Sequence, residues 1–336
     1  MDKSILVTGA SGFIGSFIVE KALEEGYDVW AGVRSGSSRK FLKDARLHFA
    51  EFDFSSPAQL VRQLESHKVI HGSWDIIVHC AGVTKCRNKK EFYTVNYDYT
   101  RNFVEALQVC KMIPAQFVYI STLGIYGAQH EKDCLPITSD DTPRPVTEYG
   151  KSKYLTEQYL HSKSDFPYIF IRPTGVYGPR ERDYYLMAKS MKRHVDFAAG
   201  FKTQYLTFVY VEDLVDAIFL AIEGNVRRRA YNISDGNTYS SRQFAQLIKS
   251  ELGNPFVLRF TCPLFLLKII SAIAQRVASL AGKSSTLNDD KYKIMKQRNW
   301  RCDISDAQKE LGYAPAYDLE CGVKATVKWY KDNGWL

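Results

Sequence analysis

Residues 8–15, TGASGFIG, decide the fold, because they join an apolar run at residues 5–7 to a helical pattern that begins at residue 13. Glycine allows a sharp turn and a close approach of the backbone to a pyrophosphate, whose charge then meets the free N–H groups of the following helix. The spacing is G-x-x-G-x-x-G and not the commoner G-x-G-x-x-G, but the strand–turn–helix context favours a dinucleotide site over a plain tight turn. The residues expected to bind the coenzyme here are Gly9, Ser11, Gly12, Phe13, Ile14 and Gly15.

Outward from this loop, short apolar runs alternate with longer helical patterns. Strands are predicted at residues 5–8, 28–33, 47–52, 76–80, 117–121 and 168–172. Helices are predicted between them, at residues 13–25, 57–66, 89–111 and 148–164. Wholly apolar strands that alternate with helices indicate a parallel sheet covered on both faces, so the predicted fold class is α/β with a Rossmann-type doubly wound parallel sheet.

The pattern becomes irregular after residue 174. Predicted strands at 206–211 and 257–260 are mixed there with predicted helices at 213–223, 240–252, 264–281 and 319–333. We therefore expect an NADP-binding Rossmann domain with the catalytic residues at 1–173 and a smaller mixed, mostly helical C-terminal substrate module at 174–336. The boundary is soft, because later segments can return to the first domain.

The composition excludes several classes of protein. The chain has 336 residues, of which 45% are apolar and 24% charged, as in ordinary globular proteins with a large core. The net charge of +8 is spread widely, so no nucleic-acid partner is expected. Seven cysteines without a CxxC pair argue against disulfides and against a metal site. With a chain start that lacks a signal-peptide core, they favour the cytoplasm.

The second predicted strand is followed by Arg34. NAD sites usually carry Asp or Glu at this point for the ribose 2′-hydroxyl, whereas Arg accommodates the 2′-phosphate of NADP. No acidic residue occurs between Val29 and Lys43, so NADP(H) is favoured over NAD(H). In the alternative interpretation, Arg34 only stacks on adenine and either coenzyme binds.

Two further segments carry groups for proton transfer. Tyr149 and Lys153 are four residues apart in a predicted helix and therefore lie on one face of it. An ammonium beside a phenol lowers the pKa of the phenol from its usual value near 10, which makes an acid–base pair usable at neutral pH. At the end of a strand, the hydroxyl of Ser121 or Thr122 can bind a substrate oxygen or can serve only as a cap.

These segments together resemble one family. TGASGFIG (8–15), VHCAG (78–82), YISTLGIYG (119–127), YGKSK (149–153) and RPTGVYGPR (172–180) look like the motifs of the extended short-chain dehydrogenase/reductase family, across essentially the whole chain. The resemblance implies a Rossmann domain that binds NAD(P). The catalytic residues that it implies are Thr122, Tyr149, Lys153 and Asn96. The further coenzyme-binding residues that it implies are Asp53, Ala81, Gly82, Tyr149, Lys153, Arg172 and Pro173.

Two departures from the family narrow the reaction. Its sugar-nucleotide dehydratases carry Asp-Glu after the catalytic Thr, where this chain has Leu123 and Gly124, so dehydration is not expected. Its nucleotide-sugar epimerases commonly carry an Arg-Asp-Phe run where this chain has Leu206-Thr207-Phe208. The loss of that Arg weakens the case for a diphosphate-bearing substrate. The chain is closest in look to the branch of 3β-hydroxysteroid dehydrogenases, dihydroflavonol reductases and keto-lipid reductases.

Residues 263–281 form the most hydrophobic segment of the chain. The segment contains Lys268, Gln275 and Arg276, so no transmembrane helix is expected. Its broad apolar surface leaves two interpretations open. It is either a buried helix or a lid over a hydrophobic pocket that also contacts a bilayer.

The sequence therefore predicts an NADP(H)-dependent reductase/dehydrogenase that interconverts a ketone and a secondary alcohol on a hydrophobic substrate. Such a substrate is a 3-keto lipid, a 3-ketosphinganine-like compound or a steroid-like ketone. The alternatives are a nucleotide-sugar epimerase and a non-catalytic NADP-binding sensor or scaffold. The resemblance also implies a homodimer. The expected location is the cytoplasm, at a membrane surface if residues 263–281 contact lipid.

Overall fold

Parallel strands form the centre of the protein, in a computed structural model that describes residues 3–280, 285 and 287–336. The strands within those residues are β1 (Ser4–Thr8), β2 (Asp28–Val33), β3 (His48–Glu51), β4 (Ile76–His79), β5 (Gln116–Ile120), β6 (Tyr168–Pro173), β7 (Gly175–Tyr177), β8 (Val195–Ala199), β9 (Tyr205–Leu206), β10 (Phe208–Tyr210), β11 (Arg229–Ile233), β12 (Tyr239–Ser240) and β13 (Leu258–Cys262). Met1, Asp2 and Ala281, which belong to the predicted chain start and apolar segment, lie outside the described residues.

Helices connect most of these strands. In chain order they are α1 (Phe13–Glu24), α2 (Pro57–His71), α3 (Lys89–Tyr93), α4 (Tyr99–Val109), α5 (Glu148–Ser162), α6 (Asp183–Lys192), α7 (Val211–Glu223), α8 (Ser241–Glu251), α9 (Leu264–Leu280), α10 (Asp289–Lys296), α11 (Ser305–Leu311) and α12 (Leu319–Asp332). A π-helical turn, Thr94–Asp98, joins α3 to α4. The predicted helix at 89–111 is therefore interrupted, because one turn is wound more widely than the α-helical repeat.

The main sheet has the spatial order β11-β6-β5-β4-β1-β2-β3, and all its strands are parallel. Thr8 at the end of β1 is level with Gly32 in β2 and His79 in β4, and His79 is level with Tyr119 in β5. The segments that follow these strands therefore meet at one edge of the sheet. The predicted doubly wound parallel sheet is confirmed.

Helices cover both faces of the sheet, because successive side chains of a strand point to opposite faces. Ile5 and Val7 of β1 pack with Ile18 of α1 and Ile218 of α7 on one face. Leu6 of β1 packs on the other face with side chains of α2 and α4. Every one of these side chains is buried, which explains why the central strands contain nearly continuous apolar runs.

The chain after residue 174 divides between the sheet and a second layer. Strand β11 pairs with β6, and α7 packs against α1, so both belong structurally to the first domain. The remaining strands form the pairs β7–β10, β9–β12 and β8–β13. Helices α6, α8 and α12 enclose a third apolar core with the pairs β7–β10 and β9–β12. Strand β11 was not predicted, and the predicted strand at 206–211 is two short strands that end at the start of α7.

Helix α9 corrects one interpretation of the apolar segment. Leu267 and Ser271 are buried, but Phe265, Ile269 and Ile273 are exposed to solvent. A wholly buried helix is therefore wrong for this segment. Within the part of the chain that the structure describes, no helix has the length and apolar character needed to cross a membrane.

Candidate active site

The glycine loop turns sharply from β1 into α1. Gly9 has a φ of +68°, and a Cβ at this position would lie 2.8 Å from the backbone nitrogen of Ala81, so glycine is required. Gly12 caps α1 with an extended backbone, and none of the described side chains caps this end. The N–H groups of the first turn can therefore bind an anion, and the helix dipole favours its charge.

A cavity of about 570 Å³ opens beside this loop, at the carboxyl edge of β1, β2 and β4. The predicted coenzyme-binding residues in its lining are Gly9, Ser11, Gly12, Arg34, Asp53, Ala81 and Gly82. A Cβ at Gly82 would lie 3.0 Å from Asn96 Oδ1 and 3.4 Å from Lys153 Nζ, so the space depends on the missing side chain. Phe13 and Ile14 are half-buried behind the loop. This glycine-lined cavity with free N–H groups and a lysine at its inner end fits a dinucleotide.

The outer end of the cavity carries the predicted determinant of coenzyme choice. Arg34 is exposed there, and its backbone N–H donates to Ser37 Oγ at 3.2 Å. Sequence reasoning missed Glu51, which lines the same end because it is level with Val33 on the neighbouring strand. Glu51 forms an exposed ion pair with Arg39 at 3.4 Å. The position of Glu51 at the end of a predicted strand is the sequence signal that could have identified it as a cavity residue.

Asp53 is held by its own loop. Its Oδ1 accepts a hydrogen bond from the backbone N–H of Ser55 at 3.0 Å, and its backbone N–H donates to Gln63 Oε1 at 3.1 Å. The side chain is half-buried and lines the cavity. The structure thus places Asp53 where the resemblance implies a contact with the coenzyme.

Three predicted catalytic side chains lie at the end of β5 and in the first turns of α5, and one of them, Lys153, reaches Gly82 in the cavity lining. Thr122 follows β5, and its Oγ1 accepts from the backbone N–H of Gly124 at 3.1 Å. Burial raises the pKa of Tyr149 to about 12, and a hydrogen bond with Thr122 opposes the rise. Lys153 is buried, and its Nζ donates to the carbonyl oxygen of Ile120 at 2.8 Å. Of the two hydroxyls considered from sequence, that of Thr122 therefore faces the tyrosine.

The electrostatic relation between Tyr149 and Lys153 differs from the prediction. Burial lowers the pKa of Lys153 to about 8, and its Nζ lies 4.6 Å from the centre of the Tyr119 ring. The lysine is not among the groups that shift the pKa of Tyr149. The predicted lowering of this pKa by Lys153 is therefore wrong here, because burial of the phenol dominates. At neutral pH the phenol is protonated and can act as a proton donor.

Asn96 lies in the π-helical turn and is fully buried. Its Oδ1 accepts from the backbone N–H of Val83 at 2.8 Å, and its Nδ2 donates to Ser152 Oγ at 3.0 Å. The wide turn also frees its carbonyl oxygen, which accepts from the hydroxyls of Thr100 and Thr156, each at 2.9 Å. Asn96 thus fixes the loop after β4 to the catalytic helix α5.

Arg172 does not contribute its side chain to the cavity. Its guanidinium binds both carboxylate oxygens of Glu157, at 3.0 and 2.6 Å, and the hydroxyl of Tyr126 at 2.7 Å. All three groups are buried in the wall between β6 and α5. The side chain thus has a structural role in the wall. Pro173 ends β6 level with Ile233 of β11.

Sequence reasoning missed the contact between α10 and α5. The backbone N–H of Tyr149 donates to Asp290 Oδ2 at 3.1 Å. The other oxygen, Asp290 Oδ1, is buried without a hydrogen-bond partner among the described residues. The run Asn288-Asp289-Asp290, a capping side chain followed by two acids, is typical of a helix start and was the available signal.

A second cavity, of about 390 Å³, shares Ser11 and Gly12 with the first. Arg180, the last residue of the predicted RPTGVYGPR motif, lines it and donates to Ser16 Oγ at 2.9 Å and to Glu20. Lys85 also lines it and forms an ion pair with Asp183. These contacts bind the loop after β7 to the first turns of α1.

Comparisons with known proteins agree with this geometry. The chain is 26% identical to a putative UDP-glucose 4-epimerase of Methanocaldococcus jannaschii, over 98% of this chain and 99% of the relative. It is 25% identical to a decarboxylating sterol-4-alpha-carboxylate 3-dehydrogenase of Dictyostelium discoideum, over 87% and 94% of the two chains. A solved UDP-glucose 4-epimerase of Thermotoga maritima superposes with a TM-score of 0.77 at 24% identity, covering 98% of this chain and 99% of that one.

The family assignment follows from a longer match. The model of the NAD dependent epimerase/dehydratase family matches residues 5–234. This range contains every predicted catalytic residue and all of the seven-stranded sheet except Ser4, the first residue of β1. A UDP-glucuronic acid 4-epimerase of Bacillus cereus, solved in complex with NAD, shares the fold with a TM-score of 0.75 at 22% identity over 98% and 99% of the two chains. The predicted membership of the extended short-chain dehydrogenase/reductases is confirmed, and the chain belongs to the NAD dependent epimerase/dehydratase family.

Proposed function

We propose that this chain is an NADP(H)-dependent oxidoreductase that interconverts a ketone and a secondary alcohol on a hydrophobic substrate, with a 3-keto lipid as the leading class. The observation that carries the proposal is the hydrogen bond between Thr122 and Tyr149, with Lys153 on the same helix beside Gly82 in the lining of the 570 Å³ cavity. A hydroxyl, a protonated phenol and an ammonium are the groups that a carbonyl oxygen needs when it gains a proton.

The chain's own residues supply the proton and orient the carbonyl. Tyr149, with a pKa of about 12, holds its proton at neutral pH and donates it to the substrate oxygen. Thr122 hydrogen-bonds the same oxygen and fixes its direction. Lys153 remains mostly protonated at pH 7 and lies beside Gly82 in the cavity lining, where its ammonium would hold the ribose of the nicotinamide. A bound nicotinamide coenzyme supplies the hydride in reduction and accepts it in oxidation.

The preference for NADP(H) rests on the outer end of the cavity. Arg34, Ser35 and Ser37 all line it, and together they offer a guanidinium and two hydroxyls to a 2′-phosphate. The one carboxylate that sequence reasoning missed there, Glu51, is engaged by Arg39. The balance of charge at this end supports a coenzyme with the additional phosphate.

The substrate class is supported by what surrounds the catalytic threonine. Leu123 is buried in the core, so no acidic side chain reaches the site from this position. A Cβ at Gly150 would lie 2.7 Å from the carbonyl oxygen of Gly124, so this turn packs closely against α5. The position expected to carry an Arg in nucleotide-sugar epimerases is Leu206, which offers no charge to a diphosphate. These features favour an uncharged ketone over a diphosphate-bearing substrate.

A nucleotide-sugar 4-epimerase is the second candidate. It is favoured by the relatives, which include a UDP-glucose 4-epimerase of Vibrio cholerae at 26% identity over 98% of this chain and 95% of the relative. Such an enzyme would use Tyr149 on a sugar hydroxyl. The two candidates therefore share the catalytic residues and differ in the substrate.

A substrate panel separates the candidates. The purified chain is incubated with NADPH and 3-ketosphinganine, a long-chain 3-keto ester or a steroid 3-ketone, and the loss of NADPH absorbance is followed. UDP-glucose, UDP-glucuronic acid and a GDP-sugar are incubated in parallel, and their products are analysed by NMR. We expect NADPH oxidation with a hydrophobic ketone and no epimerised sugar. Turnover of a nucleotide sugar, with none of the ketones, would establish the epimerase instead.

A further inference from the structure

Helix α9 and the neighbouring strand pair β8–β13 both carry exposed apolar side chains, which we call together the α9–ribbon face. The side chains that define it are Phe197, Phe260, Phe265, Ile269, Ile273 and Val277. The pair is joined directly to the helix, because β13 runs through Pro263 into α9. At the end of β8, a Cβ on Gly200 would lie 3.1 Å from Leu264 Cγ, so the pair and the start of the helix are in contact.

The strand pair presents its apolar side to solvent. Phe197 and Phe260 are level in the pair, their ring centres are 6.1 Å apart, and they are 70% and 51% exposed. The residues next to these phenylalanines, Asp196 and Arg259, are charged. They form an ion pair at 3.3 Å, and Asp196 is buried. A two-stranded unit in water normally turns its polar side outward. This arrangement indicates that the outer side is covered by something apolar.

Helix α9 extends the same surface. Phe265, Ile269, Ile273 and Val277, spaced four residues apart, are between 52% and 70% exposed, and Leu280 continues the row. The four side chains lie on one side of the helix, because residues four apart are neighbours on a helical surface. The exposed phenylalanines and this row together present on the order of 1,000 Å² of apolar surface, more than a soluble monomer usually exposes in one patch.

The charges around the face are positive. No Asp or Glu occurs from residue 252 to residue 288, whereas Lys268 and Arg276 are exposed on α9 itself. Lys202 is exposed just after β8. Asp196, the acid of the strand pair, is already paired with Arg259. The face thus combines bulky apolar side chains with basic residues and carries no free carboxylate among its described residues.

From this combination we infer that the α9–ribbon face docks on a lipid bilayer that contains anionic lipids. An amphipathic helix with apolar side chains and Lys or Arg lies in the plane of a membrane, where the apolar groups enter the acyl boundary and the cations meet lipid phosphates. A second copy of the chain fits less well, since a two-fold contact would bring the same basic residues of both copies together. The bilayer provides both an apolar layer and the opposite charge.

Vesicle binding tests the inference directly. The full-length chain is sedimented with vesicles of phosphatidylcholine alone or with added phosphatidylglycerol, without coenzyme or substrate. We expect binding to the anionic vesicles that weakens as salt is raised. Ile269→Glu with Ile273→Glu should lower the partition coefficient by at least about tenfold, because each substitution places a charge where an apolar side chain would enter the bilayer. Lys268→Gln and Arg276→Gln should each lower it by about fivefold on anionic vesicles only.

A matched control places the same charges elsewhere. Val69 and Ile70 of α2 are 86% and 73% exposed and lie outside the face, so Val69→Glu with Ile70→Glu should leave vesicle binding unchanged. The inference is overturned if the unmodified chain ignores anionic vesicles or if the α9 variants bind them equally well. It is also overturned if sedimentation velocity shows that the native chain is a dimer and that the glutamates introduced into α9 only convert it to monomers. Because no substrate is present, failure of the proposed ketone reaction would not affect this result.

Discussion

Asp290 accepts a hydrogen bond from the backbone N–H of Tyr149, although the two residues are 141 positions apart in the sequence. At the same helix start, Thr147 Oγ1 accepts from the backbone N–H of Gly150 at 2.9 Å. The backbone N–H groups in the first turn of a helix have no acceptor within the helix, and two of them are satisfied here by side chains. The Asp290 carboxylate also lies at the positive end of the helix dipole. The C-terminal part of the chain thus fixes the position of Tyr149, the proposed proton donor.

Asp290 is therefore predicted to be a positioning residue. Asp290→Ala should lower kcat by about tenfold, because a hydrogen bond to a charged acceptor is lost and the start of α5 is released. Asp290→Asn keeps an acceptor oxygen and should restore most of the rate. Steady-state kinetics with both variants checks the prediction. Equal rates for alanine and asparagine, or a change in KM alone, would exclude a role in placing Tyr149.

Tyr149 itself is predicted to transfer the proton. Tyr149→Phe keeps the ring but removes the hydroxyl, so turnover should fall by roughly 10²- to 10⁴-fold, while coenzyme affinity stays nearly constant. Tyr159→Phe, on the same helix with its hydroxyl 3.4 Å from Glu105 at an exposed site, is the control and should retain full turnover. Turnover assays and fluorescence titration of the coenzyme measure the two effects. A phenylalanine variant with most of its activity would remove Tyr149 from the reaction.

Arg34 is predicted to select the coenzyme. Its charge-assisted contacts should favour NADPH over NADH by about 1.5–3 kcal/mol, and Arg34→Asp should reverse the order, because a carboxylate repels the 2′-phosphate and accepts from a 2′-hydroxyl. Arg242→Asp, an equal change of charge at an exposed position of α8, should leave the ratio unchanged. Titrations of both coenzymes decide the matter. A native preference for NADH would contradict the assignment.

Lys153 makes the stability of the fold depend on pH. Burial lowers its pKa to about 8, from 10.5 in an exposed lysine. Between these two pH values the unfolded chain holds more protons at this side chain than the folded chain, so the free energy of unfolding should rise with pH by about 3 kcal/mol from this group. Below pH 8 the full cost of the buried charge remains.

Denaturant unfolding of the native chain and of Lys153→Met across this range provides the measurement. The methionine variant should lack the rise, since it has no proton to lose, and other titrating groups should contribute equally to both proteins. Parallel curves for the two proteins would show that the ammonium is not destabilised by burial.

The sequence allowed the central strands and the glycine loop to be predicted because they follow local rules. The predicted strand at residues 28–33 matches β2 at both ends, since burial on both faces demands a nearly continuous apolar run, here residues 29–33. Strand β11 escaped prediction because Arg229 and Asn232 break its apolar pattern at an edge of the sheet. The interruption of the helix after Tyr93 is also invisible in hydrophobic periodicity, because a single π-helical turn shifts the pattern by only one residue.

The candidate site could be predicted where it depends on motifs and not where it depends on packing. Thr122, Tyr149 and Lys153 belong to contiguous motifs, and the structure brings them together. The side chain of Arg172 belongs to a motif too, but its direction depends on Glu157 of another element. The outward side of α9 could not be predicted, since most of its surface is apolar and only tertiary contacts decide which residues are covered.

The late return of β11 to the sheet has a consequence for biosynthesis. Every proposed catalytic side chain lies before Tyr154, yet β6 gains its outer neighbour only when Ile233 has been synthesised. Gln116 at the start of β5 likewise needs its acceptors on Ala221 and Val226, at 3.2 and 3.1 Å. On the ribosome, the nascent first domain therefore exposes an unpaired strand edge that can pair with other chains. A gene fragment that ends at residue 173 would retain every proposed catalytic side chain and would produce an aggregation-prone polypeptide.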